Sequence, residues 1–227
     1  MRRILIPKCP KTKHMIISKL HYISQGNTPE DHLKNIQRAC TSGIELVQLQ
    51  LTDVSDAKYL EIAQAARDIT FHFQTRLIIN GNYKIAKDVK AEGVHLEKSD
   101  LCPTEVRPHL YSWQVIGGTA NTLQDCEALI SKNVDYITLE PFKATTQDSS
   151  SITLGVDGYT AINNALITET PIIGRGNITI DDVADILETG ISGIAVSEAI
   201  TQNFDSIKQF NLLLKASATG EIRHTFK

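Results

Sequence analysis

Four stretches of this chain repeat one phrase: TSGIELVQLQ from residue 41, AEGVHLEKSD from 91, KNVDYITLEP from 132 and TGISGIAVSEA from 189. Each ends a helical segment with a turn residue, runs on through a short apolar stretch with little alternation, and stops at polar or charged residues. Locally this is a helix C-cap, a strand buried on both faces and a loop free to carry chemistry. The phrase recurs roughly every fifty residues with a further strand candidate between copies, which marks a strand–helix unit that closes on itself. The expected fold is α/β, a single (β/α)8 TIM barrel over 20–216, with an N-terminal extension over 1–19 and a tail over 217–227. Such a fold places chemistry beyond the C-terminal ends of its strands.

A chain of 227 residues with 41% hydrophobic content can bury one full core. Its net charge of -3, with basic and acidic residues scattered, gives no broad positive field for nucleic acid. Cys9, Cys40, Cys102 and Cys126 are widely spaced and form no C-x-x-C pair, so free thiols in a reducing compartment are expected. No apolar run reaches the roughly 20 residues of a membrane span, and residues 1–6 lack a secretory pattern, so a cytoplasmic protein is expected. A homo-oligomer is compatible with the sequence.

Strands are expected at 20–24, 45–51, 76–80, within 91–100, and at 113–117, 136–139, 171–174 and 193–196. Helices are expected from the Thr28 cap to Gly43, from 53–55 to about Phe73, from Asn82 to Val89, over 103–109, after Thr122, over 179–189 and over 205–216. The polar segment 140–155 is longer than packing requires and reads as a lid or as disorder.

Residues just beyond the strands are the candidate site: Gln25, Gln48, Gln50, Asn80, His95, Asp100, Asn121, Glu140, Thr145, Arg175, Gly176, Asn177, Ser197 and Glu198. GRGNIT over 174–179, together with VSEAI over 196–200, fits a phosphate cradle after strands seven and eight; a tight turn explains the glycines equally well. His95 fits an acid, base or ligand at the mouth, or a histidine satisfied by a neighbouring oxygen. Asp100 fits a Mg2+ ligand only if another carboxylate stands near. No P-loop, nucleophile elbow or metal-spaced histidine pair occurs.

From residue 20 to about 200 these segments resemble the thiamine phosphate synthase and thiazole tautomerase superfamily. ELVQLQ resembles its V-Q-L-R-x-K segment, LIINGN its I-N-D-D, and AEGVHLEKSD its A-D-G-V-H-L-G-Q-x-D. VDYITLEPFKATTQD resembles A-D-Y-x-x-x-G-P-x-F-x-T-x-T-K, and TPIIGRGNIT resembles P-V-x-A-I-G-G-I. The resemblance implies that a thiazole phosphate displaces diphosphate from a pyrimidine diphosphate, with Mg2+ on the diphosphate, so the implied partners are phosphorylated thiazoles and pyrimidines. Carried over residue by residue, it implies Gln48 and Asn80 near the diphosphate and pyrimidine, Asp100 on the metal, and Thr145 and Gly176 on the thiazole phosphate.

Departures from the pattern are as informative. Gln50 and Thr52 stand where the family has Arg and Lys, Gly81 where it has a metal Asp, Lys98 where it has Gln, and Asp148 where it has a third basic residue. Asn121 replaces the tautomerase histidine, Asn177 the second glycine, and Glu198 an expected serine. Leaving diphosphate needs cations whose stabilisation is worth several kcal/mol, and Lys98 and Arg175 are the new cations at the mouth. Three functions are therefore weighed: a synthase with a degenerate diphosphate and metal site, a paralogue that binds thiazole or thiamine phosphates without turnover, and an unrelated sugar-phosphate barrel enzyme.

Overall fold

A computed structural model describes residues 17–144 and 153–223. Eight parallel strands, β1 (Leu20–Ile23), β2 (Leu46–Leu49), β3 (Arg76–Asn80), β4 (Gly93–Leu96), β5 (Val115–Ala120), β6 (Tyr136–Leu139), β7 (Ile172–Arg175) and β8 (Gly193–Val196), pair in sequence order. Pairing of β1 with β8, with Leu20 opposite Ile194 and Tyr22 opposite Val196, closes the barrel. Around it lie α1 (Pro29–Thr41), α2 (Asp56–His72), α3 (Tyr83–Asp88), α4 (Pro103–Val106), α5 (Leu123–Ser131), α6 (Gly155–Ala165), α7 (Val183–Glu188), α8 (Glu198–Gln202) and α9 (Ser206–Arg223). Among the described residues no helix is long and apolar enough to cross a membrane.

Local chemistry explains four of these helix starts. Thr28 accepts the Asp31 N–H with Pro29 following, Ser55 accepts from Lys58, Asn82 from Ile85, and Thr122 forms a capping box with Asp125. The repeated phrase has its own anchor. Glu92 Oε2 accepts the Leu77 N–H at 2.7 Å while Arg67 grips the same carboxylate; Asp135 Oδ2 likewise accepts from Ile116 at 2.7 Å and from Arg107 at 2.6 Å. An acid just before a strand thus ties that strand's base to its predecessor.

Three elements depart from expectation. β5 begins at Val115, two residues late, because Trp113 lies half-exposed, stacked on Tyr111 at 5.6 Å. Its Gly-Gly sequence imitates a turn but serves packing: an added Cβ at Gly117 would lie 2.1 Å from the Tyr136 ring, and one at Gly118 2.7 Å from Leu129. α6 fills a stretch that carries two glycines and little periodicity, and was not expected; it is anchored by buried Tyr159 and Ile162. α9 continues to Arg223, past the expected end at 216. Half of the 140–155 segment, residues 145–152 with Thr145 and Asp148 among them, lies outside the described residues.

Inside the barrel, Ile23, Leu46, Ile78, Val115, Tyr136, Ile173 and Ala195 form a compact apolar cluster, with Ile17 packed against it. Gly117 exists to admit the Tyr136 ring, so Gly117→Ala is expected to lower unfolding stability by about 2 kcal/mol or more through overpacking. Denaturant unfolding measures this, and a change within about 0.5 kcal/mol would contradict the packing account.

Candidate functional site

Strand alternation stacks polar side chains above that apolar floor. Gln48 Nε2 donates to Asn80 Oδ1 at 2.6 Å. His95, fully buried, has Nε2 at 2.9 Å from Thr119 Oγ1 and 3.2 Å from Thr138 Oγ1, with Nδ1 3.2 Å from the Tyr136 hydroxyl. His95 was expected to point into the mouth; it sits instead inside the barrel with both nitrogens engaged, as framework. Higher still, Arg175 fans across the barrel: Nη1 reaches Glu97 Oε1 at 3.0 Å, Nη2 reaches Gln50 Oε1 at 3.1 Å, and Nε reaches Glu140 Oε2 at 3.0 Å. Thr119 donates to the other oxygen of Glu97 at 2.6 Å, so one chain of contacts runs from the guanidinium down to His95.

Above this lattice opens a cavity of about 880 Å³ at the C-terminal ends of the strands. Gln25, Gln50, Thr52, Asn121, Glu140, Arg175, Gly176, Asn177, Ser197 and Glu198 line it. Gln48, Asn80, His95, Lys98 and Asp100 do not, which leaves the loops after β3 and β4 outside its wall. Lys98 is exposed and turned to Asp125 at 2.6 Å, at the start of α5, so it brings no cation to the cavity.

The loop after β7 is shaped by close approach. Gly176 has φ +113°, and a Cβ there would lie 2.7 Å from the Phe142 amide nitrogen. Asn177 follows at φ 51°, a left-handed conformation asparagine tolerates, so the turn survives with Asn in the place of a glycine. Its side chain reaches the Ala144 carbonyl at 3.3 Å. Asn121 donates to the Glu140 carbonyl at 2.8 Å, and Glu198 turns along its own helix to accept from Gln202 at 2.8 Å. Three contributors went unnoticed in the sequence. Ser24 and His32 line the cavity and bond each other at 2.9 Å, and Glu97 grips Arg175 from behind. For Glu97 the signal was legible: the resembled segment has glycine there.

Charge in the lattice follows from burial. Burial opposes ionisation of Glu97, yet the Arg175 charge and the Thr119 hydrogen bond outweigh it and keep its carboxyl low. At Glu140 burial wins over Arg175, with Glu97 adding repulsion, and the carboxyl is raised. Burial lowers His21 to about 4, offset in part by the Ser18 backbone, and lowers His95 to about 3. Both rings are therefore neutral in the folded barrel.

The Mg2+ position that the family pattern implies lies at Asp100. Asp100 Oδ2 already accepts the Glu97 N–H at 2.7 Å. A Cβ at Gly81 would come within 3.5 Å of the same carboxylate, so position 81 is where a second ligand would stand, and it carries none. Among the described residues no three His, Cys, Asp or Glu side chains converge as a metal site.

The thiamine monophosphate synthase family matches residues 20–200. The chain belongs to that family. A thiamine-phosphate synthase of Flavobacterium psychrophilum is 38% identical over 201 residues, spanning 86% of this chain and 98% of that one. One from Bacteroides fragilis is 32% identical, over 86% and 98%. Among solved structures, the thiamine phosphate pyrophosphorylase of Pyrococcus furiosus superposes with a TM-score of 0.77 at 20% identity, covering 88% of this chain and 96% of that one. Two 3-hexulose-6-phosphate synthases share the barrel at 12% identity with a TM-score of 0.66, a likeness of fold alone.

The buried histidines generate a pH dependence. Their folded pKa values lie below the unfolded value of about 6.5, so between those values the unfolded chain binds more protons than the folded one. Stability is therefore full above about pH 6.5 and falls as pH drops toward 4. His21 forms no well-made hydrogen bond through either ring nitrogen, so His21→Phe is expected to flatten this acid slope without breaking a pair. Thermal melts from pH 7 to pH 4.5 measure it; an unchanged slope in the variant would show that His21 is not a source.

Proposed function

We propose that the barrel mouth binds a monophosphorylated thiazole or thiamine-type ligand, and that the synthase reaction, joining a thiazole phosphate to a pyrimidine diphosphate with release of diphosphate, proceeds weakly or not at all. The observation that carries this reading is the commitment of Arg175. Among the described cavity-lining residues it is the sole Lys or Arg, and Glu97 and Glu140 both pair with it. A departing diphosphate gathers negative charge that must be answered by cations aimed at it. Here a guanidinium already neutralised stands where a free one is needed. Gln50, Thr52 and Gly81 add no charge.

Support for the monophosphate comes from the other wall. Gly176, Asn177 and Ser197 line the cavity and can offer neutral donors to one phosphate. Glu198, bonded to Gln202, is drawn away from competing with it. Asn121, in place of a histidine, cannot itself exchange a proton near neutral pH, so tautomerisation is not proposed.

Ordinary synthase turnover is the opposing reading, favoured by the 38% identity to a protein named thiamine-phosphate synthase. Calorimetry with thiazole phosphate, thiamine phosphate and inorganic diphosphate, each with and without Mg2+, separates the two. Both monophosphates are expected to bind without help from Mg2+, and diphosphate to bind poorly in either condition. Mg2+-dependent diphosphate affinity, or ready formation of thiamine phosphate from the two substrates, would overturn the proposal.

A further inference from the structure

The charge at the cavity floor narrows the ligand further, on the reading above that a phosphorylated ligand sits in this mouth. One guanidinium stands against two carboxylates, so the Glu97–Arg175–Glu140 cluster keeps a net negative charge. Its two acids are not equivalent. Glu97 lies behind the wall, with one oxygen on Arg175 and the other on Thr119. Glu140 lines the cavity, gives Oε2 to Arg175 Nε, and accepts no hydrogen bond on Oε1 among the described residues. The remaining lining side chains do not offset the charge. His32 is bonded through Nδ1 to Ser24 and is lowered by burial, and Glu198 adds an acid at the rim.

A half-buried carboxylate with one oxygen uncommitted among the described residues and half an arginine's charge is stabilised most by a second cation brought against it. We infer that this mouth selects ligands whose heterocycle carries a positive charge, of the thiazolium class, over neutral rings of the same shape, and that Glu140 is the residue that sets the preference. The phosphate is held by the neutral donors of the opposite wall, so ring charge and phosphate are recognised separately.

Two probes isolate the ring charge: a neutral thiazole monophosphate and its N-methylated thiazolium counterpart, titrated calorimetrically against the full chain. The thiazolium is expected to bind about tenfold tighter or more, the effect of one charge-assisted contact. Glu140→Gln keeps the shape and removes the charge; it should bring the two affinities near parity. Glu97→Gln removes a charge without touching the cavity and should shrink the preference as well, which keeps the test decisive should Glu140→Gln fail to fold. Equal affinities in the unaltered protein, or a preference untouched in folded variants, overturn this inference alone. No measurable affinity for either probe overturns the phosphate-ligand reading beneath it too.

Discussion

A closed parallel barrel leaves no sheet edge and no choice about its interior: every second residue of each strand must be accommodated there. In this chain the interior is filled from the base by aliphatic side chains and Tyr136. Then the filling changes character. Gln48, Asn80, His95, Thr119 and Thr138 pair among themselves, and Glu97, Gln50 and Glu140 converge on Arg175. Polar groups in such a place are costly unless partnered. The pairing found here accounts for why His95 is locked and why Arg175 is not free.

That lattice links packing to function. Arg175 projects from the end of β7, Glu97 from just beyond β4 and Glu140 from just beyond β6, so strand closure itself brings the three together. Removing one partner of such a cluster strands the others, which makes the charge state of the mouth a property of the fold rather than of a mobile loop. The cavity inherits it. Its β7 and β8 wall offers neutral donors, its floor is acidic, and the β3 and β4 loops stand outside.

Much of this could be read from the residues. The repeated phrase and its spacing specified the barrel, and the three caps predicted at Thr28, Asn82 and Thr122 open helices in the structure, as do the helix starts read near Ser55 and Pro103. Elements whose logic is tertiary were harder. Gly117 and Gly118 look like a turn until Tyr136 and Leu129 are placed beside them, and α6 has too little periodicity to announce itself. The site was legible as a set of positions but not as a network. Arg175 read as a cation for an anionic ligand because its partners, 78 positions away at Glu97 and 35 at Glu140, are neighbours only after the barrel closes. His95 and Lys98 were misplaced for the same reason: strand ends are predictable, while the direction in which a long side chain finds its partner is not.

The central claim is that Glu97 and Glu140 consume the charge of Arg175. Inorganic diphosphate affinity of the double variant Glu97→Gln/Glu140→Gln, measured beside the unaltered chain, tests it most directly. Freed of both acids, the guanidinium should bind diphosphate about tenfold more tightly or better. A folded double variant whose diphosphate affinity equals that of the unaltered chain would contradict the account.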